Sequence, residues 1–225
     1  MDELERVPAR DTALVRIAAT CGWLATGCAL LGTGCSGGEE SSGHVGVAAD
    51  LPVIVAVRPP TEGWNWPRKP SGSVTVTRSE LGAADTHPLQ TRLSQELRDA
   101  GFVRLDLSHW SNLHVGSEVS AGLFETSSGA HAAFDAIRRF NRAWQTEVEH
   151  GDVTEVSLEG LGEEGAGLHQ TSRGVGGSES ATFAWREGNL VLGAHMVCGE
   201  VGCPSDVLIA LRQWATEIDR VASSQ

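Results

Sequence analysis

The sequence lacks the short motifs that mark most well-known enzyme chemistries. No P-loop occurs, and no paired Asp/Glu motif stands out. His109 and His114, with Asp106 close by, come nearest to a metal cluster, but their spacing fits no standard template. The reading is therefore of a non-enzymatic protein with no catalytic constellation, no metal and no cofactor. Lysine is almost missing as well: Lys69 is the only one, and arginine supplies the rest of the positive charge. With 29 Asp+Glu against 17 Lys+Arg, the chain carries a net charge of −12. An acidic surface repels phosphate backbones, which excludes nucleic acid as a partner. Only one long hydrophobic stretch exists, at residues 17–34, and no second one follows it.

That stretch ends in Leu30-Leu31-Gly32-Thr33-Gly34-Cys35, a small-small-Cys step, and the polar run Ser36-Gly37-Gly38-Glu39-Glu40-Ser41-Ser42-Gly43 follows at once. We read it as a lipoprotein signal: residues 1–34 are removed and Cys35 becomes the acylated first residue. Two alternatives stay open. Cys28, preceded by Ala25-Thr26-Gly27, offers a second cleavage point, and the apolar run could remain as an uncleaved anchor. Asp2, Glu3, Glu5 and Asp11 offset Arg6, Arg10 and Arg16 in the head of the segment; a start at Val7 or Val15 would leave it basic. Residues 35–50 then form a flexible tether, because Gly, Ser and Glu bury too little apolar area to offset their ordering entropy. Residues 51–225 form one domain, long enough for a sizeable core.

Within that domain the periodicity predicts α+β architecture. A short apolar run at residues 53–57 reads as an entry strand, residues 61–72 as an irregular loop, and residues 73–77 as a strand. A helix starts near Pro88, with Leu89, Leu93, Leu97 and Ala100 on one face, and Gly101 ends it. Alternation then predicts strands at residues 102–108 and 117–125. The clearest helix follows, capped by Ser127 or Ser128, with Ala130, Ala133, Phe134, Ile137, Phe140, Trp144 and Val148 at helical spacing. Strands at residues 153–158 and 166–171 precede a hairpin of residues 181–186 and 190–197. A last helix, opened by Pro204-Ser205-Asp206, buries Val207, Leu208, Leu211, Ala215 and Ile218. The strand-strand-helix order thus occurs twice. The whole is an antiparallel sheet with three helices packed on it, after an N-terminal signal helix.

The cysteines fit an exported domain. Five are present; two leave with the signal peptide and Cys35 is acylated, so Cys198 and Cys203 remain as an even pair. Their spacing is not Cys-x-x-Cys, no adjacent His completes a metal site, and two glycines let the loop between them curl, so a structural disulfide is expected. Gly160-Leu161-Gly162-Glu163-Glu164-Gly165 matches G-x-G-x-x-G in letters, but two carboxylates would face a pyrophosphate and no helix follows; a tight turn is expected. His195 lies in a strand apolar on both faces and reads as a hydrogen-bonded core histidine. Trp64 and Trp66, near Arg68 and Lys69, are candidate ligand-facing side chains, with coverage of a sheet edge as the alternative.

The turn Leu161-Gly162-Glu163-Glu164-Gly165-Ala166, the hairpin from Phe183 to Val191, the Cys198-Gly199 strand end, the final helix and the opening Ser128-Gly129-Ala130 resemble segments of actinobacterial cell-envelope lipoproteins. They are similar in particular to the PknH-like extracellular sensor domain. The resemblance covers the C-terminal half plus the lipobox. It implies a sheet-and-helix domain, stabilised by disulfides, with a cleft for an unidentified ligand. This chain can form one bridge where the kinase-linked domains usually carry two, and it has no kinase domain. The expectation is a lipid-anchored domain on the outer face of the cytoplasmic membrane that binds a small molecule or an envelope protein. An envelope hydrolase with a scattered site and a structural or assembly lipoprotein remain as alternatives.

Overall fold

In the computed structural model the described residues are 45–60, 64, 66–111, 115–144, 152–171, 178–199 and 206–225. The signal segment, Cys28, Cys35, His114 and Cys203 lie outside them.

Three amphipathic helices form where the 3.6-residue period runs longest. Helix α2 (Pro88–Asp99) is capped by His87, whose Nδ1 accepts from Leu89 N at 3.2 Å, while Gln90 Oε1 accepts from His87 N at 3.0 Å. Helix α3 (Ser127–Trp144) is capped one residue earlier than expected: Thr126 Oγ1 accepts from Gly129 N at 3.0 Å. Helix α4 (Val207–Ala222) starts at Asp206, whose carboxylate accepts from Leu208 N and Ile209 N at 2.9 and 3.2 Å. A fourth, one-turn helix α1 (Leu51–Ile54) occupies the stretch expected to be an entry strand. An apolar run of five residues cannot tell strand from helix by period alone. Here Leu51 and Ile54, one turn apart, are buried and Val53 is exposed, so the helical spacing wins.

The strands are β1 (Gly72–Thr77), β2 (Phe102–Ser111), β3 (Val115–Phe124), β4 (Asp152–Val156), β5 (Glu164–Thr171), β6 (Glu179–Glu187) and β7 (Leu190–Cys198). They form one antiparallel sheet in the order β1-β2-β3-β7-β6-β5-β4. The hairpin β6–β7 turns at Gly188-Asn189, with Glu187 opposite Leu190. The motif Gly160–Gly165 is a turn, with Gly160 and Gly162 at φ +82° and +56°, and β5 follows it rather than a helix.

Helices cover both faces of the sheet. Alternate residues of β3, β6 and β7, including Val119, Phe183, Leu192 and Met196, pack with α1 and α4. The opposite residues, with Val76, Phe102 and Phe124, pack with α2 and α3. The two strand-strand-helix units therefore place their helices on opposite faces, so the repeated order in the sequence is not a repeated structure.

The chain enters the domain at the hairpin tip. Asn189 Oδ1 accepts from Gly46 N at 2.7 Å, and its Nδ2 donates to Gly46 O and Phe124 O at 3.1 and 3.0 Å. A side chain at Gly46 would meet Leu190 at 2.7 Å. Residues 45–50, expected in the tether, are thus strapped onto the fold.

Candidate functional site

The two faces of the sheet are filled differently. The α1/α4 face is dense with indoles: Trp64 and Trp66 stack at 5.5 Å, and Trp110 meets Trp214 edge-on at 5.8 Å. Trp64 and Trp66 are 1% and 5% exposed and belong to this core, and Trp214 Nε1 donates to Val57 O at 3.0 Å. The pair named as ligand-facing in the sequence therefore lies across the sheet from the cavity described next, with its rings packed against core.

The α2/α3 face holds a cavity of about 100 Å³. It exists because the central strands present small residues there: Ser120 and Gly122 on β3, Ala184 on β6 and Gly193 on β7. A Cβ at Gly193 would already lie 2.6 Å from Ser120 Oγ, so the floor is as low as side chains permit. Leu93 and Leu97 of α2, Ile137 of α3, and Phe102, Phe124 and Val191 of the sheet supply apolar walls.

Polar groups enter this apolar space as well. The register sets His109, Glu118, His195 and Thr182 on one rung across β2, β3, β7 and β6. The last three line the cavity. Above them, on the inner face of α3, sits Asn141. It is 0% exposed, and neither its Oδ1 nor its Nδ2 has a hydrogen-bond partner among the described residues. The Thr182 hydroxyl, in a residue 4% exposed, has none either. Orphaned buried polar groups cost about 1–3 kcal/mol each and are rare enough to call for a reason. His195 is half-buried, but its open side is the cavity; burial pushes its imidazole down to about 4, so it is neutral at pH 7. The expected hydrogen-bonded core histidine is instead part of a cavity lining. Among the described residues no Lys or Arg lines the cavity; its ionisable members besides His195 are the acidic Glu118, Glu80 and Asp85.

The other candidates lie apart. Asp106 sits on the opposite face of β2 from His109 and is tied to Arg104 Nε at 2.7 Å and to Thr75 Oγ1 at 2.9 Å. A Cβ at Gly72 would be 2.4 Å from His109 Cε1, so that ring covers the β1 edge. His131 binds Glu164 at 2.8 Å on the α3 surface. Among the described residues no group of three or more His, Cys, Asp or Glu could hold a metal ion, and no helix is long and apolar enough to cross a membrane. The buried Cys198 ends β7, with its sulfur 3.5 Å from Glu179 O.

A helix-covered antiparallel sheet with a cavity beneath two of its helices can be compared with solved folds. The chain shares the fold of the extracellular domain of PknH from Mycobacterium tuberculosis. The likeness has a TM-score of 0.54 and covers 82% of this chain and all of that one, at 11% identity. No protein-family model matches the chain, and no curated protein matches it.

Asn141 and Thr182 did not stand out in the sequence. A signal for Asn141 was present: it falls four residues after Ile137 and seven after Phe134, on the buried stripe of α3. A polar residue at a core position of a strongly amphipathic helix marks either a satisfied network or a site. Thr182 gives no such signal, since threonine is common in strands.

Proposed function

We propose that the protein is a non-enzymatic, sensor-like ligand-binding domain, held on the outer face of the cytoplasmic membrane by acyl chains on Cys35. The carrying observation is the apolar cavity under α2 and α3 with the orphaned Asn141 side chain in it. A largely apolar hollow with a few convergent polar groups is the usual form of a small-molecule site. The fold, shared with the extracellular part of PknH, supports an extracytoplasmic setting. The strap at Gly46 supports the anchor: about ten residues from Cys35 to that clamp could hold the domain up to roughly 35 Å from a membrane.

The same setting calls for the disulfide. We pair Cys198 with Cys203, the only other cysteine after Cys35. Closing so short a loop contributes about 2 kcal/mol in the chain-entropy account.

Native mass spectrometry of the protein extracted in mild detergent from the cells that make it tests both parts. The expected result is acyl mass confined to a peptide that begins at Cys35, and a non-covalent adduct that denaturation releases. An intact N-terminus with an unmodified Cys35 sulfur would defeat the anchor. A bare domain that also takes up no benzene-sized apolar reporter would defeat the ligand reading.

A further inference from the structure

The cavity's polar groups restrict what it can hold. Resting on the reading of this cavity as a binding site, we propose that its ligand is an uncharged molecule with an apolar body and one carboxamide-type group, a carbonyl oxygen and an N–H side by side, that pairs with Asn141.

Asn141 offers one acceptor and two donor hydrogens, and both its oxygen and its nitrogen are unpartnered among the described residues at 0% exposure. A ligand carboxylate would satisfy only the nitrogen, and an ammonium only the oxygen. An amide presents both complements on one edge. Thr182 Oγ1, also unpartnered, can take a further bond from the same group. Charge points the same way. An anion would meet Glu118, Glu80 and Asp85 and, among the described residues, no lining cation. An ammonium would have to shed its water in a space walled by Leu93, Leu97, Phe102 and Ile137. His195, neutral at pH 7, adds no charge of either sign. The volume, about 100 Å³, is somewhat below that of a cavity known to take benzene, about 150 Å³. It suits a short apolar body or the end of a longer chain.

The test is displacement of a benzene-sized apolar reporter, fluorobenzene followed by fluorine NMR, from the full-length protein at pH 7.5 by hexanamide, hexanoate and hexylamine. Two hydrogen bonds in a dry site correspond to a preference of about tenfold or more. The expected result is that hexanamide displaces the reporter at least about tenfold more effectively than either ion, and that Asn141→Leu levels the three probes. Equal displacement by all three, stronger displacement by an ion, or a preference that survives Asn141→Leu overturns the amide assignment and leaves the binding site standing. Failure of the reporter to bind at all removes the site itself. Should Asn141→Leu be too unstable to purify, the order of the three probes on the unaltered protein still decides.

Discussion

Acidification should destabilise this protein through one residue in the cavity. His195 has its imidazole pushed by burial from 6.5 down to about 4. In the unfolded chain the ring takes up its proton near pH 6.5, while in the fold it resists until near 4. A depressed folded pKa means that stability is complete above the unfolded value and is lost as the pH falls toward the folded one. Linkage over that shift gives a loss of about 2 kcal/mol between pH 7 and pH 5, and about 3 kcal/mol once both states are protonated. These are ceilings, because Glu118 lies directly opposite His195 on β3 and would stabilise a protonated ring. Two carboxylates add to the loss only at the acid end of the scan. Glu164 is held low against its own desolvation by His131 and Arg186, and Glu96 against its desolvation by Arg92 and Arg139. They remain in a His195→Gln variant, so the difference between the two proteins isolates the imidazole. Urea unfolding followed by tryptophan fluorescence at half-unit steps from pH 7.5 to 4.5 is the assay. The wild type should lose about 2 kcal/mol more than His195→Gln between pH 7 and 5. Parallel pH curves would refute the claim that this ring is neutral in the fold.

Two further sites should carry measurable stability. Arg186, with a side chain 10% exposed, binds Glu163, Glu164 at 2.6 Å, Ser127 Oγ at 2.9 Å and Gly188 O at 2.9 Å, joining both turns to the start of α3. Arg186→Met should cost about 2–3 kcal/mol in urea unfolding, below the 3–5 of a fully buried pair because the carboxylates keep some solvent; a cost under about 0.5 would show that the cluster is only a surface pair. Asn189→Ala removes three hydrogen bonds to Gly46 and Phe124. It should cost about 2 kcal/mol and expose residues 45–50 to limited proteolysis, while unchanged cleavage would mean that the strap holds without it.

How far the sequence reveals the fold depends on the length of each pattern. In α3 and α4 the apolar stripe recurs over several turns, and both were legible with their buried faces. The hairpin β6–β7 was legible because its strands are long and its turn carries Gly188-Asn189. The run at residues 53–57 was too short to carry a period, and α1 resulted. The placement of Trp64 and Trp66 depends on α4, well over a hundred residues away in the chain, so no local pattern could assign their face. The cavity is hidden for the same reason. Ser120, Gly122, Ala184 and Gly193 look like unremarkable strand residues until the register sets them side by side beneath α2 and α3.

That low floor gives an argument in which stability and function pull apart. Gly122 is in a central strand with no unusual φ, and a Cβ there would make ordinary contacts, 3.4 Å from Phe124 and 3.5 Å from Val191 O. Gly122→Ala should therefore stabilise the fold by about 0.4–1 kcal/mol, by restricting the unfolded chain, and raise Tm by about 1–4 °C. Gly193→Ala should gain less, since its methyl would force Ser120 Oγ, 2.6 Å away, to move. A glycine that costs stability in a strand is explained if the space above it is used. On that reasoning Gly122→Ala weakens binding of the apolar reporter while raising Tm. If Tm rises and reporter affinity is unchanged, occupants of the cavity do not reach the β3 floor, and the absence of a side chain there needs another cause.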